Sequence, residues 1–317
     1  MSKKIFQKFA RSFIKLILPL LTRLLLKLRV NRRVINYLSE KSSNSNDYYD
    51  FSNIIRALLK EEKIFSMDVG AQGGFNSELY FNSKYNKFFE PIMVEPIEEE
   101  YKKLKNNYKY VLNKGLWSSE EKKEIYILGN RLGSSSMYEP DKDFLNIHGI
   151  DEKNINKFDV TETKIVNCTT IDASLKILGI NKLDYLKIDT QGSELEILKG
   201  MKFFNPILIR TEVHVFSMYK KVPSWSDLLT YLNDLNYMAC DWKAIGSHST
   251  RIPTEMDMIF IPDYRKNNGK NLIIENKNKF IALMLIFGQL DLLKKISKNL
   301  DLISTEVIDK YEDRFFF

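Results

Sequence analysis

Phe65-Ser66-Met67-Asp68-Val69-Gly70-Ala71-Gln72-Gly73-Gly74 joins an apolar run to a glycine-rich turn, with an acid just ahead of the first glycine. An apolar run of this length reads as a buried strand, and glycines at 70, 73 and 74 allow a tight turn and close approach of backbone to a ligand. The pattern is not a dinucleotide fingerprint. Gly-x-Gly-x-x-Gly starting at Gly70 would need glycines at 72 and 75, where the chain has Gln72 and Phe75. Asp68 at the head of the turn points instead to a ligand that carries a positive charge.

Outward from this junction, Ile64 to Val69, Phe88 to Val94, Lys109 to Leu112, Leu183 to Ile188, Ile207 to Val215 and Met256 to Ile261 read as strands. They alternate with helical patterns, which indicates an α/β fold with a mainly parallel sheet and helices on both faces. In such sheets ligands bind beyond the carboxyl ends of the strands, so those ends carry the candidate site. The second strand ends in Val94-Glu95-Pro96, where an acid can accept hydrogen bonds from both hydroxyls of an adenosine ribose. Leu183 to Gly192 places Lys187 and Asp189 on one face at the end of a central strand. Buried charges need partners, so these two either pair with each other or with Glu194, or serve the site. Glu212 and His214 alternate with Val213 and Val215 and share a face. With Asp189 they are the candidates for a general base, and His214 reads equally well as a core histidine.

No metal is expected. Asp189 could be one oxygen ligand, but Asp172 reads as the N-cap of the helix through Leu175 and Leu178, and no convincing second and third ligand stand beside Asp189. His148 and His248 fall in polar loops. Cys168 and Cys240 lie far apart with no Cys-x-x-Cys, which signals neither a disulfide framework nor zinc and suits a reducing cytosol.

The 317 residues, 44% of them hydrophobic, suffice for a large core. The formal charge of +7 is concentrated at one end. Ten basic residues and no acid occur up to Arg33, which leaves −3 for the remainder, so the body lacks the cationic footprint of a nucleic-acid binder. Between these charges Phe6, Phe9, Phe13, Leu20, Leu21, Leu24 and Leu28 recur near helical spacing. Lys15, Arg23 and Lys27 interrupt every window long enough to span a bilayer, so residues 1–38 read as a basic amphipathic helical extension that lies on anionic lipid or packs on protein. Residues 39–50 have the composition of a linker, 51–263 form the main domain, and 264–317 a C-terminal helical extension. There Asn278 to Leu300 reads as one amphipathic helix, and the tail from Ile303 closes on three phenylalanines, which makes a homodimer a further expectation. Gly133 to Val160, with Ser134-Ser135-Ser136, reads as a long loop beside the site.

Asp68 to Ser77 resembles the first motif of the FkbM-type methyltransferases. Val94-Glu95-Pro96, Leu132 to Met137, Leu183 to Gly200 with Lys187-Ile188-Asp189-Thr190-Gln191-Gly192, and Thr254 to Phe260 resemble the family in order and spacing. The family more often has asparagine and then an apolar residue where this chain has Gln72 and Gly73. The resemblance implies a class I methyltransferase fold: a Rossmann-like three-layer sandwich around a mostly parallel seven-stranded sheet with the last strand antiparallel. It implies S-adenosylmethionine as cofactor, with Asp68, Gly70 and Gly74 at its methionine end, Glu95 on the ribose, Trp117 on the adenine side and Gln72 as a further contact. It suggests a saccharide among several possible acceptors, hence O-methylation of a sugar hydroxyl in a surface polysaccharide or lipid-linked precursor, and the cationic helix of residues 1–38 would bring such a cytoplasmic enzyme to the membrane as a peripheral protein. The competing readings are a nicotinamide-dependent oxidoreductase, which the glycine register opposes, and a non-catalytic membrane-associated partner of a glycan assembly enzyme.

Overall fold

The computed structural model describes residues 50–147, 155–245, 253–304 and 306–307. The basic extension 1–38, His148, His248 and the tail beyond residue 307 lie outside the described residues. Among the described residues ten strands form two sheets. The larger has the order β3 (Tyr110–Leu112), β2 (Phe89–Val94), β1 (Ile64–Val69), β7 (Tyr185–Ile188), β8 (Leu208–His214), β10 (Glu255–Pro262), β9 (Tyr237–Ile245). Its first five strands run parallel, while β10 pairs antiparallel with both β8 and β9. The chain leaves β1 for β2 on one side and later returns to β7 on the other. The switch point therefore lies between β1 and β7, where an open α/β sheet forms its crevice.

The helices of the described residues are α1 (Ser52–Leu59), α2 (Glu98–Lys105), α3 (Lys142–Ile147), α4 (Ile171–Ile177), α5 (Glu194–Lys199), α6 (Trp225–Asp234), α7 (Asn267–Glu275), α8 (Lys277–Ile286) and α9 (Leu290–Leu300). Strand periodicity sorts the sheet residues onto two faces. Met67, Ile92, Leu186, Ile209 and Phe260 pack with Ile171, Leu175, Ile197 and Leu228 of α4, α5 and α6. Ile64, Met93, Tyr185, Leu208 and Ile261 pack on the other face with Ile55 of α1, Ile273 of α7 and residues 280–286 of α8. The helices after Pro262 thus share the core of the sheet.

The single helix expected over Asn278 to Leu300 is two. Gly288, at φ +70°, ends α8, and the Gln289 N–H returns to the Met284 carbonyl at 2.8 Å, the left-handed stop that a glycine permits. Residues 279–286 of α8 are buried on all sides, so the helix is core and not amphipathic. Asp172 is not an N-cap: Thr170 caps α4, its hydroxyl accepting from the Ala173 N–H at 3.0 Å, while Asp172 accepts from the Lys202 N–H at 2.8 Å. A threonine in extended backbone suits the cap equally well, and it lies two residues earlier.

The smaller sheet has the order β4 (Gly115–Leu116), β6 (Glu162–Thr169), β5 (Glu121–Ile127). The segment after β5 is partly ordered by it. Tyr126 and Ser136 form an antiparallel bridge, and Pro140 bridges Tyr219, which holds residues 132–140 against the crevice.

Candidate active site

At the switch point a cleft is lined by Gly70 and Gln72 after β1, Glu95 after β2, Gly115 and Leu116, Ser135 to Met137, and Asp189 to Gln191 after β7. Gly70 has φ +77°, and a Cβ there would overlap the Asp189 carbonyl, so only glycine lets these two strand ends come so close. Gly74 serves differently. It lies outside the cleft wall at φ +99°, and a Cβ would stand 2.8 Å from the Tyr108 hydroxyl, which accepts the Phe75 N–H.

Asp68 also lies outside that wall, beneath the turn. It is in register with Lys187, which is in register with Arg210, so an anion and two cations cross three adjacent strands on one face. Lys187 Nζ is 3.1 Å from Asp68 Oδ1 and 3.7 Å from Asp189 Oδ2, and donates to the Gly70 carbonyl at 2.9 Å. Burial alone would pull Lys187 down, but Asp68 and Asp189 outweigh it and hold the ammonium firmly charged. The lysine ties the glycine turn to the end of β7, and Asp68 acts on the cleft through it. Arg210 donates to Asp257 at 3.0 Å and to Glu78 at 2.8 Å, over the ring of Tyr80.

Glu95 is buried on the cleft wall and accepts the Ile97 N–H at 2.8 Å. Burial lifts it to about 7 against the opposing pull of that hydrogen bond. Asp189 behaves in the opposite way: burial raises it, but Lys187, Arg210 and a hydrogen bond from Gln191 overcome that and keep it below the ordinary carboxylate range. Glu194 is not an ion-pair partner of Lys187. Its Oε1 accepts from the Thr190 N–H, Thr190 hydroxyl and Gly192 N–H at 2.9, 3.0 and 3.1 Å, fixing the loop that presents Asp189.

The sequence reading missed Gln191, which stands at the centre of this loop with φ +58°, a conformation costly for a residue with a side chain. Its amide donates to Asp189 at 3.2 Å and to Glu212, and its Oε1 accepts from Tyr219 at 3.0 Å, while Ser136 donates to its carbonyl at 2.7 Å. Gln191 therefore joins the cleft to a second group. Glu212 and His214 are outside the cleft lining, in a neighbouring small pocket. Glu212 is held well above its ordinary range by burial and by Asp189 and Glu255, and His214 falls to about 4 through burial. Glu212, His214 and Glu255 offer donor atoms all within 4.8 Å of one another. Glu255, also missed, left one signal: the alternation Glu255-Met256-Asp257-Met258 sets two acids on one face of an otherwise apolar strand.

Of the predicted residues, the structure brings Gly70, Gln72, Glu95 and Asp189 to one cleft. Trp117 is elsewhere: its ring packs against Tyr138 at 5.9 Å and under the Lys123 ammonium at 4.2 Å. Gly115 and Leu116 take the place on the wall that Trp117 was expected to fill, because the strand they form turns the tryptophan away. The family model for the methyltransferase FkbM domain matches residues 68–238, more than half of the chain. No curated protein matches it.

Proposed function

We propose that this chain, which belongs to the FkbM family of S-adenosylmethionine-dependent methyltransferases, binds that cofactor in the switch-point cleft and methylates a sugar hydroxyl. The observation that carries the reading is the convergence of Gly70, Glu95 and Asp189 on one cleft from the ends of three strands. The cofactor contributes an electrophilic methyl on a sulfonium, so little beyond alignment is needed from the protein. The side-chain-free turn at Gly70 admits the methionine portion, and the Glu95 carboxylate is placed to accept both ribose hydroxyls. Pro96, Ile97, Leu116 and Met137 supply an apolar wall suited to adenine. Asp189, held ionised, accepts the proton of the acceptor hydroxyl as that oxygen attacks. Gln72, Ser77, Glu78 and Ser135 line the same cleft and offer the polar groups a saccharide would engage. The cationic, apolar residues 1–38 would hold the enzyme on the anionic cytoplasmic face of a membrane, where lipid-linked glycans are built.

Isothermal titration with S-adenosylmethionine and S-adenosylhomocysteine, with NADH as control, tests the donor site. Saturable binding that Glu95→Ala abolishes supports it; tight NADH binding, or no adenosyl ligand, overturns it. Asp189→Asn should keep the cofactor but lower kcat on a methyl-accepting glycan by about 10²–10⁴. Unchanged turnover would remove Asp189 from the mechanism.

A further inference from the structure

On the far side of Gln191 from the cleft, strands β8 and β10 bring three donors together. His214 and Glu255 are directly opposed in the antiparallel ladder, and Glu212 precedes His214 by two residues, so all three project from one face of the sheet. All are buried, His214 to 4% of its free exposure. Neither ring nitrogen of His214 has a hydrogen-bond partner among the described residues, and Glu255 Oε1 has none either. A buried imidazole with both nitrogens unsatisfied is costly, and the expense needs an explanation in what the group binds. His214 Nδ1 and Glu255 Oε1 are 3.5 Å apart. That is close to the edge of a tetrahedron whose ligands lie about 2.1 Å from a central ion, an edge of about 3.4 Å.

We propose that Glu212, His214 and Glu255 form a binding site for a divalent first-row transition ion such as Zn²⁺ or Mn²⁺. One imidazole with two carboxylates is the donor set that such ions take in preference to Mg²⁺ or Ca²⁺, which favour oxygen alone. Two carboxylates match the ion's charge in a place where uncompensated charge could not remain. The ring of Tyr219 meets His214 edge to face at 5.6 Å and limits the rotation of the imidazole. The hydrogen bond from Gln191 to Glu212 would serve likewise, and it makes the ion a positioning element for Asp189. This inference does not rest on the methyl-transfer reading, since it is read by metal content.

The test uses the full chain stripped with chelator and then titrated with Zn²⁺ against a fluorescent indicator and with Mn²⁺ by electron paramagnetic resonance. One equivalent per chain is expected, with Mg²⁺ failing to compete. Glu255→Gln and His214→Gln should each weaken binding by at least about a hundredfold, more than the loss of an outer-shell partner. Circular dichroism and a cooperative thermal transition check that the variants are folded. Should they not fold, pulsed resonance on the Mn²⁺-loaded wild type decides, because coordination by His214 requires hyperfine coupling to nitrogen. No saturable uptake by the wild type, equal uptake by the folded variants, or a spectrum without nitrogen coupling would each overturn the proposal.

Discussion

Glu95 is a buried carboxyl lifted to about 7 because burial disfavours its charge, while the single Ile97 N–H only partly compensates. Its folded value lies above its unfolded one, so the folded chain retains a proton that the unfolded chain releases. The cost of burying it is therefore absent below the ordinary carboxylate value and develops fully as pH rises through 7. A ligand that donates two hydroxyl hydrogen bonds favours the anion and reverses that cost. Affinity for S-adenosylmethionine is expected to rise about tenfold between pH 6 and pH 8, the range in which the free carboxyl ionises, and to flatten above it. Binding near pH 6 should release close to one proton, seen as a dependence of titration heat on the buffer's ionisation enthalpy. Glu95→Gln should bind more weakly and without that slope. A flat profile in the wild type would show that the ribose is held elsewhere.

Between elements, a buried ion pair joins α8 to the loop before β7. Lys279 Nζ lies 2.7 Å from Asp184 Oδ2, and the same oxygen accepts the Phe65 N–H of β1 at 2.8 Å. Both side chains are about nine-tenths buried, so removing one leaves an uncompensated charge. Lys279→Ala should lower unfolding stability by about 3–5 kcal/mol in urea melts, and Asp184→Asn with Lys279→Met together should recover part of that loss. Equal stability of the single variant and the wild type would mean that water reaches the pair. This tie was not legible in the sequence, because it depends on where α8 docks. Six strands of the main sheet were legible, since β1, β2, β7 and β8 are apolar runs bounded by turn residues. β9 was not: Asp241, Trp242 and Lys243 are exposed at the sheet edge, and an edge strand lacks the two-sided burial that writes a continuous apolar run. β5 and β6 escaped because one face of the smaller sheet is open, with Lys122, Glu124 and Asn167 exposed on it. Within the site, Gly70, Glu95 and Asp189 could be read because strand ends in this architecture face the crevice. Gln191 could not, for its role comes from a left-handed backbone that the sequence pattern does not display.

Across the molecule, the match to residues 68–238 stops before the inserted strand β10 and before the three last helices, yet the core does not stop there. β10 supplies Ile259 and Ile261 to the face that α8 covers, along with the carboxylates of Glu255 and Asp257 next to the site. From α8 and the start of α9, Phe280, Ile281, Leu283, Met284, Leu285, Ile286, Phe287, Leu293 and Ile296 are buried in the same cluster as Tyr185 and Leu208 beneath the cleft. Each such side chain contributes about 1.5–3 kcal/mol on burial, so together they match or exceed the roughly 5–15 kcal/mol by which a domain is ordinarily stable. A chain ending at Asn276 should therefore fail to fold cooperatively, giving no sharp thermal transition, exposed apolar surface that binds a hydrophobic dye, and no S-adenosylhomocysteine binding. A chain ending at Ser304 keeps α8 and α9 and should melt cooperatively. If the shorter chain instead melted sharply and bound the ligand, α7 and the sheet would be shown to close the core by themselves, and α8 would be an addition to a self-sufficient domain.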